Sequence, residues 1–351
     1  MYGHLDPIRA IDIDPESLLV VTGSDDGLIK LWDLNKARSS HKSQRRSGSD
    51  YTSLYNLRGS IHRVTAVAYS PKQRRCFAGS SDGRVRVWDL PLDVHQPGSS
   101  SLNFSEQKMD EHQNVVWEIA LHPQDPHAMA TISADGTCRL WNTRDITEAS
   151  LHQFLYLLPG SDAQSSDTNG DAALPPSAAA EGSLAIPTSV TFPASNPHQL
   201  LVGYENTHIR VYDTIHGTCA LQMALDPANG YSRAKINKLT VYPSDSLLVA
   251  ALEDQTLRFL DLRSGKQIGL VHAHLEAVTT VDVDYTGYCT VSASTDCTLR
   301  WWDRRTFNCV YHQEAHRLKN DEGIVSMRAH PRRPWVLTGG ADAVVKVFTA
   351  G

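Results

Sequence analysis

Residues 80–89 read SSDGRVRVWD: an Asp-Gly step, then a β-rich run that closes on Trp88-Asp89. Asp-Gly supplies the positive φ of a tight hairpin turn, and Val85 and Val87 alternate with Arg84 and Arg86 at the period of a strand. The decade therefore encodes the end of one strand, a turn and the next strand. The same pattern ends at Asp33 (GSDDGLIKLWD) and at Asn142 (SADGTCRLWN). Fainter copies end at Asp213 (YENTHIRVYD), Asp261 (LEDQTLRFLD), Asp303 (STDCTLRWWD) and Thr349 (GADAVVKVFT).

The spacing inside each copy is tighter than the spacing between copies. The closing residues Trp32, Trp88, Trp141, Tyr212, Leu260, Trp302 and Phe348 lie 56, 53, 71, 48, 42 and 46 residues apart. Six positions before each stands a turn residue: Asp26, Asp82, Asp135, Asn206, Asp254, Asp296 and Asp342. Upstream, an apolar residue precedes a Pro by seven positions in six copies, from Ile8 before Pro15 to Ile324 before Pro331, with Tyr285 replacing the Pro in the remaining copy. Rigid units joined by elastic loops, each built of short strands, predict an all-β chain. The repeat length matches a seven-bladed β-propeller of four-stranded antiparallel blades.

The 351 residues carry 33 Lys+Arg against 39 Asp+Glu, a net charge of −6. That balance argues against a general nucleic-acid binder, which shows a clustered basic footprint. No apolar run approaches a membrane span. Cys76, Cys138, Cys219, Cys289, Cys297 and Cys309 include no CxxC pair and read as reduced thiols. The sequence contains no HExxH, GxSxG, Walker A or dinucleotide fingerprint, so neither catalytic nor cofactor or metal residues are expected.

Gly3-His4 before Trp32-Asp33 resembles the GH…WD signature of WD repeats. In that family a His, a Ser/Thr, the turn Asp and the Trp hydrogen-bond as a tetrad. The resemblance assigns His4, Ser24, Asp26 and Trp32; His112, Ser133, Asp135 and Trp141; and His274, Ser294, Asp296 and Trp302. Copy two has Ser60 at the His position, copies four and five lack the His, and copy seven keeps His316 and Asp342. Those four blades are expected to lean on apolar packing, with Asp254 mattering less than Asp135. The opening GHLDPIRAI and the second half, including VHAHLEAVTTVDVDYTGY, are similar to the C-terminal WD-repeat domain of striatins.

That resemblance implies a non-catalytic, cytoplasmic interaction scaffold. Its implied partners are protein phosphatase 2A, Ste20-type kinases and a Mob-family protein, some of them bound through upstream segments. The usual WD contact surface implies that residues flanking the first buried residue of each inner strand face the channel mouth. They include Arg9, Arg63, Val115, Trp117, Lys235, Asn237 and Thr279, with Ala185 and Pro187 in copy four. Trp and Arg are enriched among energetic anchors of interfaces. An alternative is a substrate receptor of a cullin-type ubiquitin ligase, since Trp302-Asp303-Arg304-Arg305 fits the WDxR pattern of such receptors.

The chain is expected to be one propeller domain over residues 1–351, with disordered insertions near 36–52, 91–108 and 159–183, which are basic, Pro/Ser-rich and acidic in turn. Too few residues precede His4 or follow Phe348 to supply the outer strand of the last blade. The chain then encodes 27 of 28 strands, as a C-terminal part of a longer protein would, and Val344–Val347 would exchange amides quickly along an unpaired edge.

Overall fold

All seven closing hairpins turn at the same place. The residue after each turn Asp or Asn has a positive φ: 76°, 82° and 83° at Gly27, Gly83 and Gly136, and 66°, 70°, 69° and 62° at Thr207, Gln255, Cys297 and Ala343. At Gly83 the demand is doubled, because a Cβ there would lie 2.6 Å from the His112 carbonyl of the next blade. Three turns thus use the residue made for this backbone, and four hold an L side chain in it.

The computed structural model describes residues 1–35, 53–58, 62–91, 106–144, 185–226, 228 and 234–349. Among them 26 strands form seven antiparallel sheets, each with its strands in chain order. The inner strands are Ile8–Ile13, Val64–Ser70, Val116–Leu121, Pro187–Thr191, Ile236–Val241, Val278–Val283 and Ile324–Ala329, in blades 1 to 7. Each inner strand contacts the inner strand of the next blade, and Ile324–Ala329 returns to Ile8–Ile13, so the sheets close into a ring. Blades 1, 2, 4, 5 and 6 have four strands; blades 3 and 7 show three among the described residues.

The core is divided between the blades. Seven buried clusters each straddle one blade-to-blade junction, such as Val21, Leu31 and Leu57 against Val64 and Tyr69, or Ile8 and Trp32 against Leu337 and Val345. Glycine in the second strand admits the next blade: a Cβ on Gly79 would lie 2.6 Å from the Val116 side chain.

Polar side chains of the inner strands reach across every junction. From blade 1 the Asp12 carboxylate accepts Tyr69 N–H; from blade 2 Thr65 donates to Val116 O; from blade 3 Glu118 accepts Val190 N–H. From blade 4 Thr188 donates to Ile236 O; from blade 5 Asn237 donates to Val278 O at 2.8 Å; from blade 6 Thr279 donates to Ile324 O at 2.8 Å. Ser326 closes the circle by donating to Ile8 O at 2.9 Å.

Three expectations change here. The outer strand of blade 2, residues 106–109, takes in the last three residues of the expected insertion 91–108: Val87 pairs with Gln107, and Met109 is buried. Residues 36–52, 92–105 and 159–183 lie outside the described residues. In blade 4 the inner strand is one residue out of step with the Pro spacing: Pro187 pairs with Tyr204 as Ile8 pairs with Ser24. Ile186 and Thr188, rather than Ala185 and Pro187, are therefore its mouth positions. A Pro fits this first strand position because it has no N–H to contribute. At the outer edge of blade 7, Met1 donates its terminal ammonium to Val345 O at 2.7 Å and accepts Val345 N–H at 3.1 Å. Val345 is thus engaged on the edge that was expected to stand open.

Candidate functional site

Four histidines sit in the loops entering the inner strands, each tied to the turn aspartate of its own blade. His4 Nδ1 donates to Asp26 at 2.9 Å, His112 to Asp135 at 2.9 Å, His274 to Asp296 at 3.0 Å and His316 to Asp342 at 2.9 Å. The opposite ring nitrogen meets Thr22, Thr131, Ser292 and Thr338 at 2.7–2.8 Å. The indoles of Trp32, Trp141 and Trp302 donate to the first three of these hydroxyls at 2.7–2.9 Å. A carboxylate only accepts, so Nδ1 carries the proton, and a neutral ring leaves Nε2 to accept the hydroxyl. Burial lowers the His274 pKa despite Asp296, in keeping with a neutral ring.

The tetrad hydroxyl is therefore not Ser24, Ser133 or Ser294. Those serines lie two residues on, where they receive the turn aspartate N–H and donate to loop carbonyls of Asp6, Asn114 and Glu276. Strand register is the reason. Val20 stands opposite Trp32 and Thr22 opposite Lys30, which makes Thr22 the diagonal neighbour of the indole on one face. Blade 7 keeps three members through Thr338, with Phe348 in place of the Trp.

Two of the three blades without the His, 2 and 5, use an ion pair. Asp82 binds Arg86 at 2.6 Å, and Asp254 binds Arg258 at 3.1 Å with both side chains buried. These arginines stand four residues after the turn aspartate, and that place is basic in every blade: Lys30, Arg86, Arg139, Arg210, Arg258, Arg300 and Lys346. In blades 1, 3 and 7 the cation instead reaches the loop ahead of the ring: Lys30 to Gly3 O at 2.7 Å, Arg139 to Glu111 at 3.3 Å and Lys346 to Ala315 O at 2.5 Å. In blade 4, Tyr204 and Tyr212 share a buried hydrogen bond under Arg210.

The mouth residues divide by what the junctions require. The place after the first buried residue holds Thr65, Thr188, Asn237 and Thr279, all of which bond the next blade. Asn237 and Thr279, expected as partner contacts, are engaged in closing the ring. Blades 1, 3 and 7 carry Arg9, Trp117 and Val325 there and bridge from deeper positions. Arg9 is nonetheless held, by Asp25 at 2.8 Å and Glu322 at 3.0 Å. Burial disfavours its cation, but the two carboxylates outweigh burial and raise its pKa. Trp117 remains open, 40% exposed, with Lys235 Nζ 5.4 Å from its ring centroid. Arg63 is exposed on blade 2, and Val115 is half-buried beside Trp117. Blade 4 separates Trp117 from Lys235 in chain order, and its Thr188 is buried, so the cation reaches the ring across the rim.

Below the mouth runs a channel of about 770 Å³ lined by all seven inner strands. Its charges compensate one another. Arg328 lies 3.4 Å from Asp12 and 3.6 Å from Asp282, and Lys238 pairs with Glu118. The mouth positions did not reveal this layer; the signal was charge two or four residues into strands that are otherwise apolar. Among the described residues no group of three His, Cys, Asp or Glu is placed to hold a metal ion. No helix among them is long and apolar enough to cross a membrane.

Comparison with known proteins agrees with this geometry. The WD domain, G-beta repeat model matches residues 265–303 and 307–349. A second model, Nucleolar protein 10-like, N-terminal domain, matches residues 4–143. Striatin-4 of Mus musculus is 30% identical over 347 residues, 99% of this chain and 42% of that protein, and Striatin-4 of Homo sapiens matches to the same extent. Striatin-3 of Bos taurus is 29% identical over 353 residues, 99% of this chain and 40% of that protein. The chain thus carries WD repeats and is similar to striatins over almost all of its residues, while spanning about two fifths of their length.

Proposed function

We propose that this WD-repeat propeller is a non-catalytic platform that holds partner proteins at its channel mouth, in a striatin-like scaffold assembling phosphatase and kinase signalling complexes. One observation carries the reading: Trp117 stands exposed on the rim with Lys235 over its ring and Arg63 on the neighbouring blade. An exposed cation–π pair is worth only about 0.5–1 kcal/mol to the fold, so stability alone gives weak reason to keep an indole in water. Similarity to striatins supports protein phosphatase 2A, Ste20-type kinases and a Mob-family protein as the partners to look for.

The test is affinity purification of the chain from cells with mass spectrometry. Trp117→Ala with Arg63→Ala is expected to remove the partner proteins recovered with the chain while the melting temperature stays within a few degrees. Undiminished recovery would overturn the proposal. A second reading, a substrate receptor of a cullin-type ligase, is favoured by Arg305, which is exposed at the turn on the opposite face. Under that reading a cullin adaptor would be recovered instead, and Arg305→Ala would release it.

A further inference from the structure

Three leucines stand out from the mouth face. Leu5, Leu275 and Leu318 are 78%, 76% and 60% exposed, in the loops entering the inner strands of blades 1, 6 and 7. These blades are consecutive, because blade 7 closes onto blade 1. Single exposed leucines are ordinary. These are set apart by the rigidity of the backbone that carries them.

The turn aspartate of each blade, fixed by its histidine, also holds the first backbone N–H after that histidine. Leu5 donates to Asp26 at 3.1 Å, Leu275 to Asp296 at 3.2 Å and Arg317 to Asp342 at 3.4 Å. Leu318 follows Arg317 and enters a tight turn in which Asn320 and Asp321 have φ of 53° and 60° and Lys319 bridges to Glu322. Arg9 then ties Glu322 to blade 1. Blade 3 holds Gln113 in the same way, at 3.1 Å, so the holding bond does not itself call for a leucine. Side chains presented on a fixed backbone lose little freedom on binding.

The rim is therefore two-sided. Blades 2, 3 and 5 present Arg63, Trp117 and Lys235, cations and an aromatic on a chain of net charge −6. Blades 6, 7 and 1 present the leucines, and there the exposed carboxylates of Asp6, Glu276 and Asp321 offset the exposed cations of Arg317 and Lys319. We infer that the mouth takes one linear protein segment, acidic at one end and bearing bulky aliphatic residues at the other, laid across the channel from the cationic side to the leucine side. Carboxylates complement the first side, and aliphatic side chains cover the second. The inference rests on the mouth being the partner site and specifies what that site reads.

The experiment selects phage-displayed random 15-residue peptides on the full chain and measures the enriched peptides by fluorescence anisotropy. The expected sequences carry an acidic cluster separated from Leu, Ile, Met or Phe. Affinity is expected to fall at least tenfold in Leu275→Ser/Leu318→Ser and in Arg63→Ala/Trp117→Ala, with added salt weakening the wild-type complex. All four positions are exposed or rim residues, and unchanged melting curves will show that the variants fold. Peptides sensitive to the Arg63/Trp117 pair but not to the leucine pair would overturn this inference and leave the mouth as the partner site. Peptides insensitive to both pairs would overturn both. Enrichment of basic or uncharged sequences, or none above an unrelated protein, would overturn the inference.

Discussion

Asp254 is wholly buried and has no histidine, yet Arg258 donates to it from an equally buried position. Removing one partner of a buried ion pair costs about 3–5 kcal/mol, more than the roughly 1–3 kcal/mol for leaving the neutral ring of a tetrad without its acceptor. Asp254→Ala is thus expected to destabilise at least as much as Asp135→Ala in urea melts, reversing the order that a missing histidine implies. A smaller loss at Asp254 would show that Arg258 finds other partners. Burial by itself would raise the turn carboxyls, but His or Arg bonds outweigh it: Asp26, Asp135, Asp296 and Asp342 are held below the usual range, and Asp82 is drawn down to about 2 by Arg86 and Ser80. A depressed carboxyl stabilises above its unfolded pKa and loses that contribution as pH falls through the folded value. His274, His122 and His330, lowered chiefly by burial, favour the fold while neutral. Their contribution fades as pH drops below about 6.5. Urea midpoints are expected to decline from about pH 7 and to fall steeply below about pH 4; a midpoint that rises on acidification would contradict these assignments. The turn Asp and the closing Trp were legible from spacing, and the His from the resemblance to WD repeats. The hydroxyl was not, because Thr22 and Ser24 share one face of a strand and only cross-strand register separates them.

At the scale of the element, the hairpin turn was the most legible feature, since its offset from the closing residue never changes. What the spacing does not show is strain. Ala343 occupies the left-handed position with φ 62° and has almost no side chain to lose. Ala343→Gly is expected to stabilise by about 0.5–1 kcal/mol, the left-handed penalty less the added entropy of the unfolded chain. Denaturant midpoints will read the change, and a destabilised variant would mean that packing of the Ala343 methyl outweighs its backbone. The inner strand of blade 4 was misplaced by one residue because Pro193 served as the ruler. A one-residue slip exchanges the two faces of a strand, and here it hid Thr188, whose hydroxyl joins blade 5, behind Pro187.

At the scale of the molecule, seven sheets stay together because every junction has both an apolar cluster and a polar bridge. The ring was legible as a count of repeats, but the bridges lie on residues too far apart in sequence to be paired by pattern. Arg328 is one of the charged ties, reaching from blade 7 to Asp12 of blade 1 and Asp282 of blade 6, its neighbours on either side. Asp282 and Asp12 hold its guanidinium charged, and burial pushes the Asp12 carboxyl up against the pull of Arg328. A carboxyl with a raised folded pKa binds its proton more tightly in the native state, so its cost is full at neutral pH and lifts as pH falls through that value. Arg328→Met removes the cation and leaves two carboxylates in the channel wall with only backbone donors. The guanidinium is about half exposed to the channel, so screening limits the loss at neutral pH to about 1 kcal/mol. Without Arg328 the Asp12 pKa rises further, and protonation relieves the repulsion at a higher pH than in the parent. The gap in urea midpoint between parent and variant is therefore expected to narrow from about pH 7 to about pH 5. A gap that stays constant over that range would show that Arg328 contributes packing alone and that blades 6, 7 and 1 are not held by charge along the channel wall.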